Sequence, residues 1–131
     1  SYTVRNSGLA FDTVSAVAID RDGRIWCGTL DGVSVFDGKT WQTYSILNMT
    51  LRFNTATTLA IDRQGQIWVG ADLPIGPVGA AAMFDGRKWH DYGQYYFNEA
   101  PVRAIAVDAE NRIWFGTLLD GIFVYDGFKT V

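Results

Sequence analysis

One stretch recurs three times in 131 residues, and a fixed repeat constrains a fold more tightly than any composition does. Residues 22–38 read DGRIWCGTLDGVSVFDG, residues 64–86 read QGQIWVGADLPIGPVGAAAMFDG, and residues 110–127 read ENRIWFGTLLDGIFVYDG. The tryptophans of the IW pairs, Trp26, Trp68 and Trp114, stand 42 and 46 residues apart. An apolar run ending in aspartate precedes each: VSAVAID to Asp20, TTLAID to Asp62, RAIAVD to Asp108. A second Asp-Gly follows each, at Asp37-Gly38, Asp85-Gly86 and Asp126-Gly127; the first two continue as KTWQTY and RKWHDY. Units of this kind cannot bury an apolar face alone, so they stack on their neighbours.

Within one unit, AVAID is short, apolar and rich in β-branched residues, which suits a strand buried on both faces. DRDGR, DRQGQ and DAENR are polar turns with Gly or Asn where a positive φ is wanted. RIWCGT reads as a second strand, GVSVF between turn signals as a third, and TWQTY as a short fourth. Four strands in about 44 residues, with no helical period, predict an all-β chain of three four-stranded β-propeller blades. The blades fall at approximately 2–44, 44–92 and 92–131, the last completed by residues 1–2 of a partner or by a following repeat. The length is that of one domain. Ala16, Ala18, Ala60, Ala104 and Ala106 fit the crowded inner strand beside the propeller axis.

Three stretches are similar to the two-component regulator propeller repeat. They are AIDRDGRIWCGTLDGVSVFDGKTWQTY, then AIDRQGQIWVGA with MFDGRKWHDY, then AVDAENRIWFGTLLDGIFVYDG. The resemblance covers almost the whole chain. Two departures stand out: the second copy replaces TLDG by the longer ADLPIGPVGAAA, and the third has Asn111 in place of Gly and lacks the last Trp. The resemblance implies a propeller from the sensing region of a bacterial signalling protein, placed in the periplasm or outside the cell, that binds ligands.

The ends share a register. Asp37 to Tyr44 spans seven residues, whereas Asp126 to Val131 spans five. Appending Ser1 and Tyr2 places Tyr2 seven after Asp126, and residues 2–20 then align with residues 44–62. Two arrangements fit: a head-to-tail homodimer whose six blades close a ring, or a piece of a longer array. The homodimer is the favoured expectation, because an open arc exposes unpaired strand edges.

In a propeller the strands are consumed by packing, so recognition falls to the loops. One face collects the blade-to-blade loops and those between second and third strands. Here it receives TVRNSGLAFDT, SILNMTLRFNTAT, GQYYFNEAP and ADLPIGPVGAAA, while the other face receives tight turns. The candidate ligand-binding residues are Arg5, Arg52, Phe53, Tyr95, Tyr96, Glu99 and Arg103. Aromatic rings beside Arg and Glu suit stacking on, and hydrogen bonding to, a small polar ligand, with carbohydrate one such class. Phe11, Phe53 and Phe97 suit equally a packing role in the gaps between blades.

Composition narrows the rest. Eleven Lys and Arg against fourteen Asp and Glu leave a net charge of −3, without the basic footprint of a nucleic-acid binder. No apolar run approaches the roughly 18 residues of a membrane-spanning helix. The single cysteine, Cys27, fills the slot of Val69 and Phe115 and reads as a small buried hydrophobe, with neither disulfide nor metal cluster. The single histidine, His90, takes the place of Gln42 on an outer strand and reads as a surface residue, so no Ser-His-Asp set forms on the loop face. Asp20, Asp62 and Asp108 read as turn caps, as do Asp31 and Asp120. No catalytic residue, metal ligand or cofactor is assigned. The reading is a non-catalytic ligand-binding or sensor module that partners itself and a small polar ligand or glycan. The alternatives are a propeller enzyme of the lactonase or antibiotic-lyase type, which would gather metal-bound carboxylates at the loop-face centre, and a protein–protein interaction platform.

Overall fold

A computed structural model of the chain describes residues 1–45, 55–71, 81–92, 101–118 and 120–127. Strands β1 (Val14–Ile19), β2 (Ile25–Thr29), β3 (Gly32–Phe36) and β4 (Trp41–Tyr44) form the first sheet, in that order. The second holds β5 (Ala56–Ile61), β6 (Ile67–Ala71), β7 (Ala81–Phe84) and β8 (Trp89–Asp91). The third holds β9 (Val102–Val107), β10 (Ile113–Thr117) and β11 (Ile122–Tyr125). Every pairing is antiparallel between sequence neighbours, the meander of a propeller blade. The fourth strand expected for the third blade falls at residues 128–131, outside the described residues.

Turn chemistry sets the register. Gly23 and Gly65 adopt φ 82° and Asn111 adopts φ 61°, the left-handed region that a tight turn demands. The amide of each donates to the carbonyl of Asp20, Asp62 or Asp108 at 3.0 Å, closing the hairpin. With the turn fixed, Ile25 faces Ile19, Ile67 faces Ile61 and Ile113 faces Val107. A bulge near the start of β1 and β5 lifts Ser15 and Thr57 out of the ladder.

Two apolar cores lie between blades. Trp26, Val33 and Val35 of the first blade pack on Ala56, Ile67, Val69 and Ala82 of the second. Trp68, Ala81 and Met83 of the second pack in the same way on Val102, Ile113 and Phe115 of the third. Full burial of each aliphatic side chain stabilises by about 1.5–3 kcal/mol, so the junctions carry the fold. Backbone polar atoms also cross them. Thr57 Oγ1 donates to Gly70 O at 3.1 Å and, across the junction, to Val102 O at 2.6 Å. Ser15 Oγ repeats the pair with Gly28 O and Ala56 O.

The inner strands depart from the expectation of burial on both faces. Along β1, Val14, Val17 and Ile19 are exposed, and in β9 Ala104 and Ala106 are exposed. The second and third strands of the blades take the deepest positions instead. Among the described residues, β5 packs against β1 on one side and β9 on the other, and even so it is only half-buried beyond Ala56.

Candidate functional site

The turn face is built first by the chain. Asp20 Oδ1 accepts the amides of Asp22 and Arg24, both at 2.9 Å, while Oδ2 accepts Trp26 Nε1 at 2.9 Å and Arg24 Nε at 2.8 Å. Asp62 accepts the amides of Gln64 and Gln66 and Trp68 Nε1, at 3.0, 2.9 and 2.9 Å. Asp108 accepts the amides of Glu110 and Arg112, Trp114 Nε1 at 2.9 Å and Arg112 Nε at 2.6 Å. These carboxylates therefore cap a turn and also anchor an indole two strand positions on. The second role was missed at the level of sequence, although the constant six-residue step from Asp to Trp in all three copies was its signal.

Their acidity follows from these bonds. Burial alone pushes the Asp20 carboxyl up, but the Trp26 hydrogen bond, the Arg24 amide and the Arg24 guanidinium outweigh it and hold it below the usual range. Donation from Trp114, with the Arg112 amide and guanidinium, holds Asp108 well below that range. His90, read as a plain surface residue, is half-buried on β8, with Nε2 at 2.8 Å from Asp85 Oδ2. That contact, joined by the Lys88 and Arg87 amides, pulls the Asp85 carboxyl far down. Cys27 is buried, and burial pushes its thiol up.

Two clefts open on the turn face between blades. The one between the second and third blades has a volume of about 420 Å³; Gln64, Gln66, Glu110 and Asn111 line it above the rings of Trp68 and Tyr92. Its counterpart between the first and second blades, about 270 Å³, contains Arg24, whose guanidinium pairs with Asp20. Gln66 stands where Arg24 and Arg112 stand in the other copies. Among the described residues, no group of three or more His, Cys, Asp or Glu is placed to hold a metal ion. No helix there is long and apolar enough to cross a membrane.

On the opposite face, Arg5 is exposed in the segment leading to β1. Arg103 is exposed on β9, at the position that Ser15 and Thr57 fill in the other blades. Arg52, Phe53, Tyr95, Tyr96 and Glu99 lie outside the described residues, as does Phe97. Phe11 is 43% exposed.

Residues 8–31, 50–72 and 96–118 each match the sequence model of the two component regulator propeller, together just over half of the chain. No curated protein matches it. Among solved structures, the extracellular domain of the hybrid two component system BT3049 from B. thetaiotaomicron superposes with a TM-score of 0.76 at 23% identity, covering 95% of this chain and 17% of that one. The extracellular domain of the hybrid two component system BT4673, from the same organism, gives 0.77 at 18% identity over 100% of this chain and 18% of that one. PorZ, a surface component of the type-IX secretion system of Porphyromonas gingivalis, gives 0.61 at 19% identity over 97% and 20%. The chain thus spans about a fifth or less of the length of these structures, and the likeness is one of fold.

Proposed function

The chain belongs to the two component regulator propeller family, and from that premise we propose that it is the ligand-recognition part of a sensor outside the cytoplasm. It binds a small polar ligand, with carbohydrate the first class to test, on the face that carries the long loops. Arg5, Arg52, Phe53, Tyr95, Tyr96, Glu99 and Arg103 supply the contacts, by stacking and by hydrogen bonding. The blades work within a closed ring, and a second copy of the chain supplies the other blades.

The observation that carries this reading is a division of labour between the two faces. The repeated aspartates of the turn face are committed to turn amides and indoles, so they serve the fold. In the sequence, the copies differ most in the segments between blades and in the ADLPIGPVGAAA insertion, which leaves those segments available for recognition. A glycan array with thermal-shift follow-up tests it. Binding should appear in the wild type and drop at least tenfold in Tyr95→Ala or Tyr96→Ala. Binding that survives both changes and disappears in Gln64→Ala would move the site to the 420 Å³ cleft of the turn face.

A further inference from the structure

Two of the three hairpins hold a guanidinium that the third lacks. In the first blade, Arg24 lies between two carboxylates, with Nε 2.8 Å from Asp20 Oδ2 and Nη2 3.4 Å from Asp22 Oδ2. In the third blade, Arg112 repeats this, with Nε 2.6 Å from Asp108 Oδ2 and Nη2 3.3 Å from Glu110 Oε2. In the second blade Gln66 stands in the place of the arginine, and Gln64 in the place of Asp22 and Glu110. The aspartate is retained. Asp62 is 6% exposed, accepts the amides of Gln64 and Gln66 on Oδ1, and accepts Trp68 Nε1 on Oδ2. Its Oδ2 thus accepts one hydrogen bond fewer than Oδ2 of Asp20 or of Asp108. Among the described residues, no Lys, Arg or His pairs with Asp62.

The exchange falls at the larger of the two turn-face clefts. Where Gln66 lines the wall the cleft measures about 420 Å³, against about 270 Å³ where Arg24 does. Asp62, Glu110 and Asp126 line the larger cleft and, among the described residues, no Lys or Arg does. In the smaller one Arg24 accompanies a single lining carboxylate, Asp37. The acid given up on one wall at Gln64 is met by Glu110 on the other, which belongs to the third blade. The nearby cations have other places: Arg112 pairs with Asp108, and Arg63 is exposed outside the lining. The Arg63 amide donates to Asn111 Oδ1 at 2.8 Å across the junction, which ties the two walls together. Half-buried Tyr92 and Tyr125 form the floor, 5.2 Å apart and 5.0 and 5.6 Å from the Trp68 ring.

We propose that this cleft binds the guanidinium group of a small ligand or peptide, in the place that Arg24 and Arg112 fill in the sister blades. Asp62 Oδ2 accepts one of its N–H groups, Glu110 accepts another from the facing wall, and the tyrosine rings receive its planar face. Three observations select this chemistry. The same carboxylate already ligates a guanidinium in both other copies. A largely buried carboxylate is favoured by a cation partner, and a neutral ligand leaves Asp62 without one. A guanidinium is planar and forked, so it reaches two carboxylates while lying on an aromatic ring, which a compact ammonium does not. The site sits on the turn face and is independent of the loop-face ligand proposed above.

Titration calorimetry of the purified chain with N-acetyl-arginine amide tests it. Binding is expected, and the matching citrulline amide, which keeps the shape without the charge, should bind at least tenfold more weakly. Gln66→Arg rebuilds the ion pair of the sister blades, so it should fold, melt no lower than the wild type and bind the arginine amide at least tenfold more weakly. Glu110→Gln, at an exposed position, should weaken binding several-fold with the fold intact by circular dichroism. No binding of the arginine amide, equal binding of the citrulline amide, or binding unchanged in folded Gln66→Arg would each overturn the site. Agmatine beside the arginine amide separates a free guanidinium compound from a peptide side chain, and binding of either that is lost in Gln66→Arg supports the site. Tyr95→Ala and Tyr96→Ala should leave arginine binding unchanged, so failure of the loop-face reading and failure of this one are read from different variants.

Discussion

Trp68 donates to Asp62 and Trp114 donates to Asp108, each at 2.9 Å, yet Trp68 is 2% exposed and Trp114 is 37% exposed. The same local sequence makes the same hydrogen bond in both places. What differs, among the described residues, is what lies over each ring. Over Trp68 lie Phe115 and Tyr125 of the third blade; over Trp114, among the described residues, lies its own Arg112. The comparison separates two layers of this fold. The indole–carboxylate bond is a property of one hairpin, whereas the apolar burial that stabilises the chain belongs to pairs of blades.

The largest way to break that comparison is truncation. Trp68→Ala opens a cavity in the second junction and should cost about 3–5 kcal/mol in urea unfolding. Trp114→Ala should cost a small fraction of that, because the Trp114 ring is 37% exposed. Equal losses in the two variants would contradict that contrast.

A smaller contrast uses the glycines. In Gly70→Ala the new Cβ meets Thr58 Cγ2 and Val102 Cγ1, each at 2.7 Å, and overpacking of that kind should cost about 1–3 kcal/mol. Gly116→Ala, whose new Cβ meets nothing closer than the Ala104 Cβ at 3.6 Å, should leave the unfolding midpoint unchanged or slightly raised, because alanine restricts the unfolded chain. Thermal melts of the two variants side by side decide this.

Tryptophan-to-phenylalanine changes sharpen the polar side of the comparison. Trp26→Phe leaves the Asp20 carboxylate, buried beneath the junction, without its indole donor and should cost about 1–3 kcal/mol. Trp89 has a buried Nε1 with no hydrogen-bond partner among the described residues, so Trp89→Phe should fall within about 0.5 kcal/mol of the wild type.

The smallest expected effect is acid sensitivity. The Asp20 carboxyl is held below its unfolded value of about 3.9, so its stabilisation is complete above that pH. The stabilisation is lost as pH falls below about 4 towards the folded value, because the unfolded chain then binds the proton more readily. Asp108, held down by Trp114 and Arg112, acts in the same direction. Unfolding midpoints between pH 5 and pH 2 should therefore fall less steeply in Asp20→Asn than in the wild type.

The strands, the hairpins and the positive φ at Gly23, Gly65 and Asn111 were all legible in the sequence, because each depends on residues within a few positions of one another. So was the burial of Cys27, since the other copies place Val69 and Phe115 in its slot. Three features were settled only by the tertiary structure. The aspartates proved to be indole anchors as well as turn caps, because side chains six residues apart meet only once two strands are paired in register. The clefts of the turn face arise between hairpins from different blades, and the exchange of Arg24 for Gln66 acquires its meaning only there. Arg103, chosen from the sequence as a loop residue, stands on β9 at the bulge position that Ser15 and Thr57 use to reach the next blade. Local spacing fixes which hydrogen bonds a hairpin can make. Whether an IWxG strand ends at 2% or 37% exposure is decided by a blade some forty residues away in sequence, whose contact no local pattern encodes.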